Sequence, residues 1–103
     1  MSTENRIMTY TGVVSDPISQ IAKNGTPMAR FNLEYVDISY NELEEKLFQN
    51  IQIIIECYDE IAEAVMMFVI SGQQITVEGR FKSSRWGSDS QVVFVPDRIL
   101  YAD

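Results

Sequence analysis

Apolar and polar residues alternate along most of this 103-residue chain, and a period of two is typical of half-buried β-strands. In the stretch MARFNLEYVD, residues 28–37, the side chains from Ala29 to Tyr35 are apolar at odd positions and polar at even positions. Runs rich in β-branched and aromatic residues extend strand-like sequence to other parts of the chain. The pattern predicts five strands, which cover residues 6–14, 28–37, 47–58, 74–86 and 91–101.

Residues that favour turns separate the predicted strands. Asp16-Pro17 is predicted to interrupt the first strand, after which residues 18–22 resume an extended pattern. The sequence KNGT at residues 23–26 is typical of a hairpin turn. The polar residues 39–46 predict a loop, and residues 87–90 predict the tip of a second hairpin.

One helix is predicted between the third and fourth strands, because apolar residues recur at helical spacing from Ile61 to Phe68. Asp59 is the predicted N-cap, and Gly72 is the predicted stop. Five short strands with a single helix in this position are the arrangement of an OB-fold. We therefore predict a mainly β protein, a five-stranded Greek-key barrel with one helix between strands 3 and 4, forming a single domain over residues 1–103.

The charge of the chain is negative and unevenly distributed. The net charge is −7, and residues 34–63 contain nine acidic residues and one basic residue. Residues 80–86 are the basic exception, with three cations that lead up to Trp86, the only tryptophan. A negative protein does not attract nucleic acid as a whole, but a local positive patch can still bind it.

Composition argues against several other functions. With no histidine and one cysteine, Cys57, the chain cannot build a Cys–His nucleophile pair or a structural zinc site. The adjacent carboxylates at 44–45 and 59–60 lie in segments that we interpret as solvent-facing. We therefore expect no enzymatic activity and no cofactor or metal. The longest apolar run, residues 64–70, is too short to cross a membrane, and the first residues lack a signal peptide, so we expect a cytoplasmic protein with no membrane partner.

Four stretches of the sequence resemble the bacterial single-stranded DNA-binding protein family. They are distributed between residues 5 and 86, and their order and spacing agree with the family. The stretches are NRIMTYTGVVSDP (5–17), NGTPMARFNLE (24–34), IAEAV (61–65) and ITVEGRFKSSRW (75–86).

This resemblance implies an OB-fold that binds single-stranded DNA without strong sequence preference, in DNA replication, replication restart or repair. The family's members are dimers or tetramers, so a homodimer is expected, with a tetramer as the alternative. Because the sequence ends at Asp103, soon after the last predicted strand, it most resembles the short replication restart subfamily, primosomal protein N. Replication or primosome proteins are then the expected protein partners.

Single strands bind by stacking their bases on aromatic rings while cations follow the phosphates. The resemblance matches Trp86 and Tyr58 to the family's stacking aromatics, and it places Gln52 where many members have another. Phe48 shares a strand face with Tyr58 and could substitute for that missing ring. The candidate phosphate contacts are Arg80, Lys82, Arg85 and Arg30.

Each of these residues also has a structural interpretation. Trp86 could be a packing residue, the cations of residues 80–86 could solubilise a hairpin, and Tyr58 and Phe48 could belong to the core, as we expect for Phe31, Phe81 and Phe94. The acidic residues Glu42, Glu44 and Glu45 could simply belong to a solvated loop, or they could repel DNA or dock a basic protein surface. The alternative function is therefore an acidic OB-fold interaction module with weak or no DNA binding.

Overall fold

The computed structural model describes the backbone of residues 6–23, 25–86 and 89–101, and the side chains of residues 6–15, 25–84 and 90–101. Five strands and one helix follow each other along the chain. They are β1 (Met8–Lys23), β2 (Thr26–Tyr40), β3 (Lys46–Tyr58), α1 (Asp59–Phe68), β4 (Gln74–Trp86) and β5 (Asp89–Tyr101). Within the described residues, no helix combines the length and the apolar character needed to span a bilayer.

The strands close into a barrel in the order β1-β2-β3-β5-β4. β1 closes it by pairing with β4 over Met8–Val13 and with β2 over Val13–Lys23. β3 and β5 run parallel and meet at Ile55 and Phe94, whereas the other pairs are antiparallel. A closed five-stranded barrel with a helix between β3 and β4 is an OB-fold, so the predicted fold is confirmed.

The first strand is longer than its sequence predicts. Asp16-Pro17 does not end it, because pairing with β2 continues on both sides of a register shift between Ser15 and Ser19. Residues in such a bulge are not all hydrogen-bonded to the partner strand. Proline, which has no N–H to donate, is therefore tolerated there. The predicted interruption is therefore seen in the pairing, which resumes at Ser19 as the extended pattern of residues 18–22 predicts, but it does not divide β1 into two strands.

β1 changes its pairing partner from β4 to β2 directly after Gly12. A Cβ atom at this position would collide with the backbone carbonyl of Glu34, so only glycine allows β1 and β2 to approach so closely. The next residue, Val13, pairs with both Glu34 and Gln74. Beyond this point β2 continues without β1, and its residues from Tyr35 onward pair with β3 alone among the described strands.

This extension makes a two-stranded arm, residues 35–51, which we call the β2–β3 arm. Its turn, residues 41–45, is shorter than the predicted loop. The side-chain oxygen of Asn41 accepts the backbone N–H groups of Leu43 and Glu45, each at 2.9 Å, and its amide donates to the Glu45 carboxylate. Glu44 has a φ of 61°, in the left-handed region that tight turns use.

The core consists of the inward-facing residues of the strands, covered at one end by the buried Ala62 and Val65 of α1. Phe31 and Phe94 are buried and Phe81 packs against the same cluster, which confirms all three as core residues. Rings inside the barrel meet mostly edge to face. Those ring pairs are Tyr10–Phe81, Tyr10–Phe94 and Phe81–Phe94.

The helix begins without a linker, because β3 runs directly into it. Tyr58, with an extended backbone, is its N-cap, so the prediction of Asp59 was wrong by one residue. Asp59 and Glu60 instead occupy the first turn, where negative charge favours the helix dipole. After the helix, Gly72 has a φ of 92° and donates its N–H to the carbonyl of Val14, which turns the chain into β4.

Candidate nucleic-acid interface

The candidate site residues of β3 lie on the outer face of the barrel. Odd-numbered residues of this strand, such as Ile55 and Cys57, point into the core, so the even-numbered ones point outward. The pairing with β2 is regular from Met28 and Tyr58 at one end to the arm at the other. Phe48 and Tyr58 therefore share a face, as the alternation predicts.

Phe48 lies on the β2–β3 arm, opposite Ile38, and is 66 % exposed. The ammonium group of Lys46 lies 5.7 Å from the centre of its ring, within the range of a cation–π contact. Ten residues separate Phe48 from Tyr58, a distance of about 33 Å along a strand. The two rings therefore cannot form one pocket, and could serve only as separate points on an extended track.

Tyr58 is half-buried where β3 meets α1. Its hydroxyl donates a short hydrogen bond to the carboxylate of Glu56. Burial, together with this hydrogen bond, raises the pKa of Tyr58 to about 12, so its hydroxyl remains a donor at alkaline as well as neutral pH. The ring also lines an open depression with Pro27 and Ile61, next to the acidic side chains of the first helical turns.

Glu56 is the main surprise on this face. It lies on the outer side of β3, yet it is 0 % exposed. Besides the Tyr58 hydroxyl, its two oxygens lie 3.1 Å from the hydroxyl of Ser84, which belongs to β4. The carboxylate is buried because β5 pairs with β3 beside it and brings the β4–β5 hairpin against the outer face.

Arg30 lies opposite Glu56 on β2, and its Nε atom is 3.5 Å from the carboxylate. Its guanidinium also donates a hydrogen bond of 2.6 Å to the side-chain oxygen of Gln91 on β5. This side chain, 22 % exposed, therefore joins three strands. A role for Arg30 as a phosphate contact stays a prediction.

The basic strand face belongs to β4. Lys82 is exposed and Arg80 is half-buried, and both share a strand face with Ser84. Because Ser84 bonds to Glu56, this face adjoins Tyr58 and Arg30. The backbones of Arg85 and Trp86 pair with Ser90 and Asp89, but their side chains lie outside the described residues.

Sequence reasoning missed Glu56, Ser84 and Gln91. The environment of Glu56 could have been predicted in part, because a hairpin that turns around Leu43 places Arg30 opposite Glu56, as observed. An Arg and a Glu directly opposite on one face predict an ion pair. The other two residues could not be predicted in this way, because their contacts depend on how distant strands cross.

Acidic side chains surround this surface. Glu34 is exposed on β2, where its carboxylate accepts a hydrogen bond of 2.7 Å from the amide of Gln52. Glu42, Glu44 and Glu45 are exposed at the end of the arm. In the described part of the chain, no group of three or more Cys, Asp or Glu side chains is placed to hold a metal ion.

A model of the single-strand binding protein family matches residues 4–98. The chain belongs to this family. The match spans all five strands nearly to the end of β5, so the barrel and the residues described above fall within it. A search of curated proteins finds no match.

Several solved structures have the same fold. The SSB of Plasmodium falciparum, in complex with ssDNA, superposes with a TM-score of 0.84 at 16 % identity and covers 100 % of this chain and 98 % of its own. A deletion mutant of the Thermus aquaticus single-stranded DNA-binding protein gives 0.83 at 20 % identity, over 96 % of this chain and 50 % of that one. The small single-stranded DNA-binding protein of Streptomyces coelicolor gives 0.78 at 15 % identity, over 98 % and 96 %. At these identities the similarity establishes the fold.

Proposed function

We propose that this family member binds single-stranded DNA along the outer face of β2 and β3 and across to the β4–β5 hairpin. The observation that carries the proposal is the contact between Ser84 and Glu56, which joins the basic face of β4 to the face that contains Tyr58. The outer face of strands 2 and 3, with the loop between strands 4 and 5, is where OB-folds bind oligonucleotides. The similarity to an SSB solved in complex with ssDNA supports the same ligand.

Binding combines stacking with phosphate contacts and involves no covalent chemistry. Trp86 and Tyr58 stack bases near the hairpin, and Phe48 offers a further ring on the β2–β3 arm. The cations that follow the backbone are Arg80, Lys82, Arg85 and, at the base of the hairpin, Arg30. Stacking on aromatic faces tolerates any base, so sequence preference is weak.

The cellular role that fits this activity is the protection of single strands during DNA replication, replication restart or repair in the cytoplasm. The similarity of the sequence to the primosomal protein N subfamily supports the restart role, with primosome proteins as partners. A homodimer is the proposed assembly.

A second candidate function is an acidic interaction module with weak or no DNA binding. One specific observation favours it. Leu43 is 79 % exposed at the end of the β2–β3 arm, and its neighbours Glu42, Glu44 and Glu45 are exposed as well. An apolar side chain among carboxylates would suit a basic protein surface better than a phosphate backbone.

A titration with oligo-dT at low and moderate salt distinguishes the two candidates, with Trp86 fluorescence as the signal. The first candidate predicts quenching of the emission and an affinity that falls with salt. Replacing Trp86 by Ala should weaken binding about tenfold or more, measured by anisotropy of a labelled oligo-dT, with little change of the salt slope, because stacking involves no counterion release.

Phe68→Ala is the matched control, since Phe68 is an exposed aromatic at the end of α1, away from the proposed track. It should bind oligo-dT like the parent protein. If the parent fails to bind at low salt, or if Trp86→Ala binds equally well, the interaction module becomes the better explanation.

A further inference from the structure

Glu56 is a fully buried carboxylate on the outer face of the barrel. It lies outside the main hydrophobic core, as do the buried Met28 and Val93, which also occupy the outer faces of their strands. Burying a carboxylate is costly unless it is paired and hydrogen-bonded. The surrounding side chains meet this requirement, so their arrangement around Glu56 is specific.

The partners of Glu56 come from three strands. Tyr58 on β3 and Ser84 on β4 donate hydroxyl hydrogen bonds to it, and Arg30 on β2 forms the ion pair. Arg30 in turn donates a hydrogen bond to the side chain of Gln91 on β5. Both strands of the β4–β5 hairpin are thus tied to the β2–β3 face through one carboxylate and its ion-pair partner.

These contacts lie where the hairpin leaves the barrel. Ser84 comes two residues after Lys82 and two before Trp86, and Gln91 pairs with it across the hairpin. Tyr58, the stacking candidate on β3, has its hydroxyl held by the same carboxylate. A tyrosine hydroxyl is protonated in the neutral range at its ordinary pKa, and the pKa of Tyr58, raised to about 12, extends this donor to alkaline pH.

We propose that Glu56 is a positioning residue of the nucleic-acid interface: it fixes the base of the β4–β5 hairpin and the ring of Tyr58 relative to the β2–β3 face. The proposal rests on the proposed function for its effect on DNA binding, but the anchoring itself exists in the free protein. Prepositioned groups bind more tightly because less conformational freedom is lost on association.

An effect of charge alone and a positioning role predict opposite changes in DNA affinity when Glu56 is replaced. A negative charge near bound DNA weakens binding, so its removal should strengthen binding if charge were its only effect. A positioning residue behaves the other way, because its loss loosens the groups that contact DNA. Glu34 is the matched control: it lies on the same outer face, is exposed, and bonds Gln52 on β3.

The first experiment uses the free protein and needs no DNA. Hydrogen exchange is measured in Glu56→Gln, Ser84→Ala and Glu34→Gln. We expect the amides of residues 82–84 and 91–93 to exchange about tenfold faster in the first two variants, which lose hydrogen bonds to a charged group. Residues 8–14 of β1 should keep their protection, and Glu34→Gln should match the parent.

Two outcomes of this experiment overturn the proposal: unchanged exchange in both variants, or an equal rise across the whole barrel, which would indicate a general loss of stability. The double variant adds a further test. Because Ser84 acts through Glu56, adding Ser84→Ala to Glu56→Gln should cause a smaller change than Ser84→Ala causes in the parent protein, whereas fully additive effects would contradict the anchoring. Should Glu56→Gln not fold, Ser84→Ala decides alone.

The second experiment measures oligo-dT binding. Glu56→Gln should bind about tenfold more weakly than the parent protein, with an unchanged salt slope, because the phosphate contacts are retained. Glu34→Gln, with the same change of net charge, should bind equally or more tightly. Equal strengthening by both variants would overturn the positioning role.

The two proposals can fail separately. If the parent protein does not bind oligo-dT, the proposed function fails, and the anchoring of the hairpin is decided by hydrogen exchange alone. If the parent binds but exchange near Ser84 is unaffected by the variants, DNA binding stands and the role of Glu56 is wrong.

Discussion

At the scale of single residues, burial in the core of the barrel determines the reactivity of the Cys57 thiol. The thiol is fully buried, and burial together with the nearby Glu56 raises the pKa of Cys57 to about 12. Since the thiolate is the reactive form, both effects protect this side chain from thiol reagents.

We therefore expect a disulfide reagent such as Ellman's reagent to leave Cys57 unmodified at about pH 8 in the folded protein. The same protein unfolded in urea serves as the control and should release one equivalent of thiol dye rapidly, because Cys57 is the only cysteine. Fast labelling of the folded protein would contradict the burial of this strand position.

Which residues could be predicted depends on how local their environment is. The core positions of Phe31 and Phe94 follow from the alternation within their own strands, and both predictions are confirmed. Alternation also placed Glu56 correctly on the outer face, but it cannot say what covers that face. Coverage comes from Ser84 and Gln91, which are distant in sequence and reach Glu56 and Arg30 only because β5 joins β3.

At the scale of secondary-structure elements, the β2–β3 arm is the feature that the sequence describes least well. Its polar tip predicted a loop over residues 39–46, but Asn41 closes a turn of residues 41–45 by hydrogen bonds to Leu43 and Glu45. The strands therefore extend further than expected and carry Phe48 away from the barrel. Turn chemistry of this kind depends on one side-chain conformation, which periodicity does not encode.

The carboxylates at the tip of the β2–β3 arm can be used to test whether bound DNA extends along the arm. Replacing Glu42 and Glu44 by Gln should tighten oligo-dT binding at low salt and have less effect at moderate salt, because screening weakens charge repulsion. Glu45 is kept, since Asn41 donates to it. The measurement is the dissociation constant at two salt concentrations.

A variant with Glu78→Gln and Asp97→Asn provides the control, because it removes the same charge from β4 and β5. If both double variants improve binding equally, only the net charge matters and DNA need not approach the arm. An unchanged affinity in the tip variant would show that these carboxylates do not oppose DNA, so that they form a solvated loop or dock a protein instead.

At the scale of the whole molecule, closure of the barrel leaves the start of β1 with a single partner, in addition to the β2–β3 arm. Among the described strands, residues 8–12 of β1 pair with β4 alone, because β2 joins β1 only from Val13. Ile7, Met8 and Val13 are exposed around this edge. An uncharged edge that pairs with nothing is a site of association, and natural proteins usually cover it.

The order of elements made the barrel predictable, since each strand and the helix have local signals and few topologies fit their sequence. The open edge was only partly predictable. The sequence indicates a first strand without charges after Arg6. The change of partner at Val13, however, depends on the close approach of Gly12 to Glu34, which only the folded barrel brings about.

We expect this edge to pair with its copy across a two-fold axis, so that the protein is a dimer or a larger assembly. Light scattering at micromolar concentration should then give at least twice the monomer mass of 11.8 kDa. In an isologous contact the same stretch of both copies meets, and residues close to the two-fold axis lie near their own copies. Thr11 lies close to the middle of the stretch, so Thr11→Glu would bring like charges together and should shift the protein towards monomer. Thr76→Glu is the matched control: Thr76 faces Thr11 at 2.8 Å on β4, a strand whose two edges are both used within the barrel. A monomer mass for the parent protein would contradict the assembly, and equal dissociation by both variants would place the contact on the sheet face instead of the strand edge.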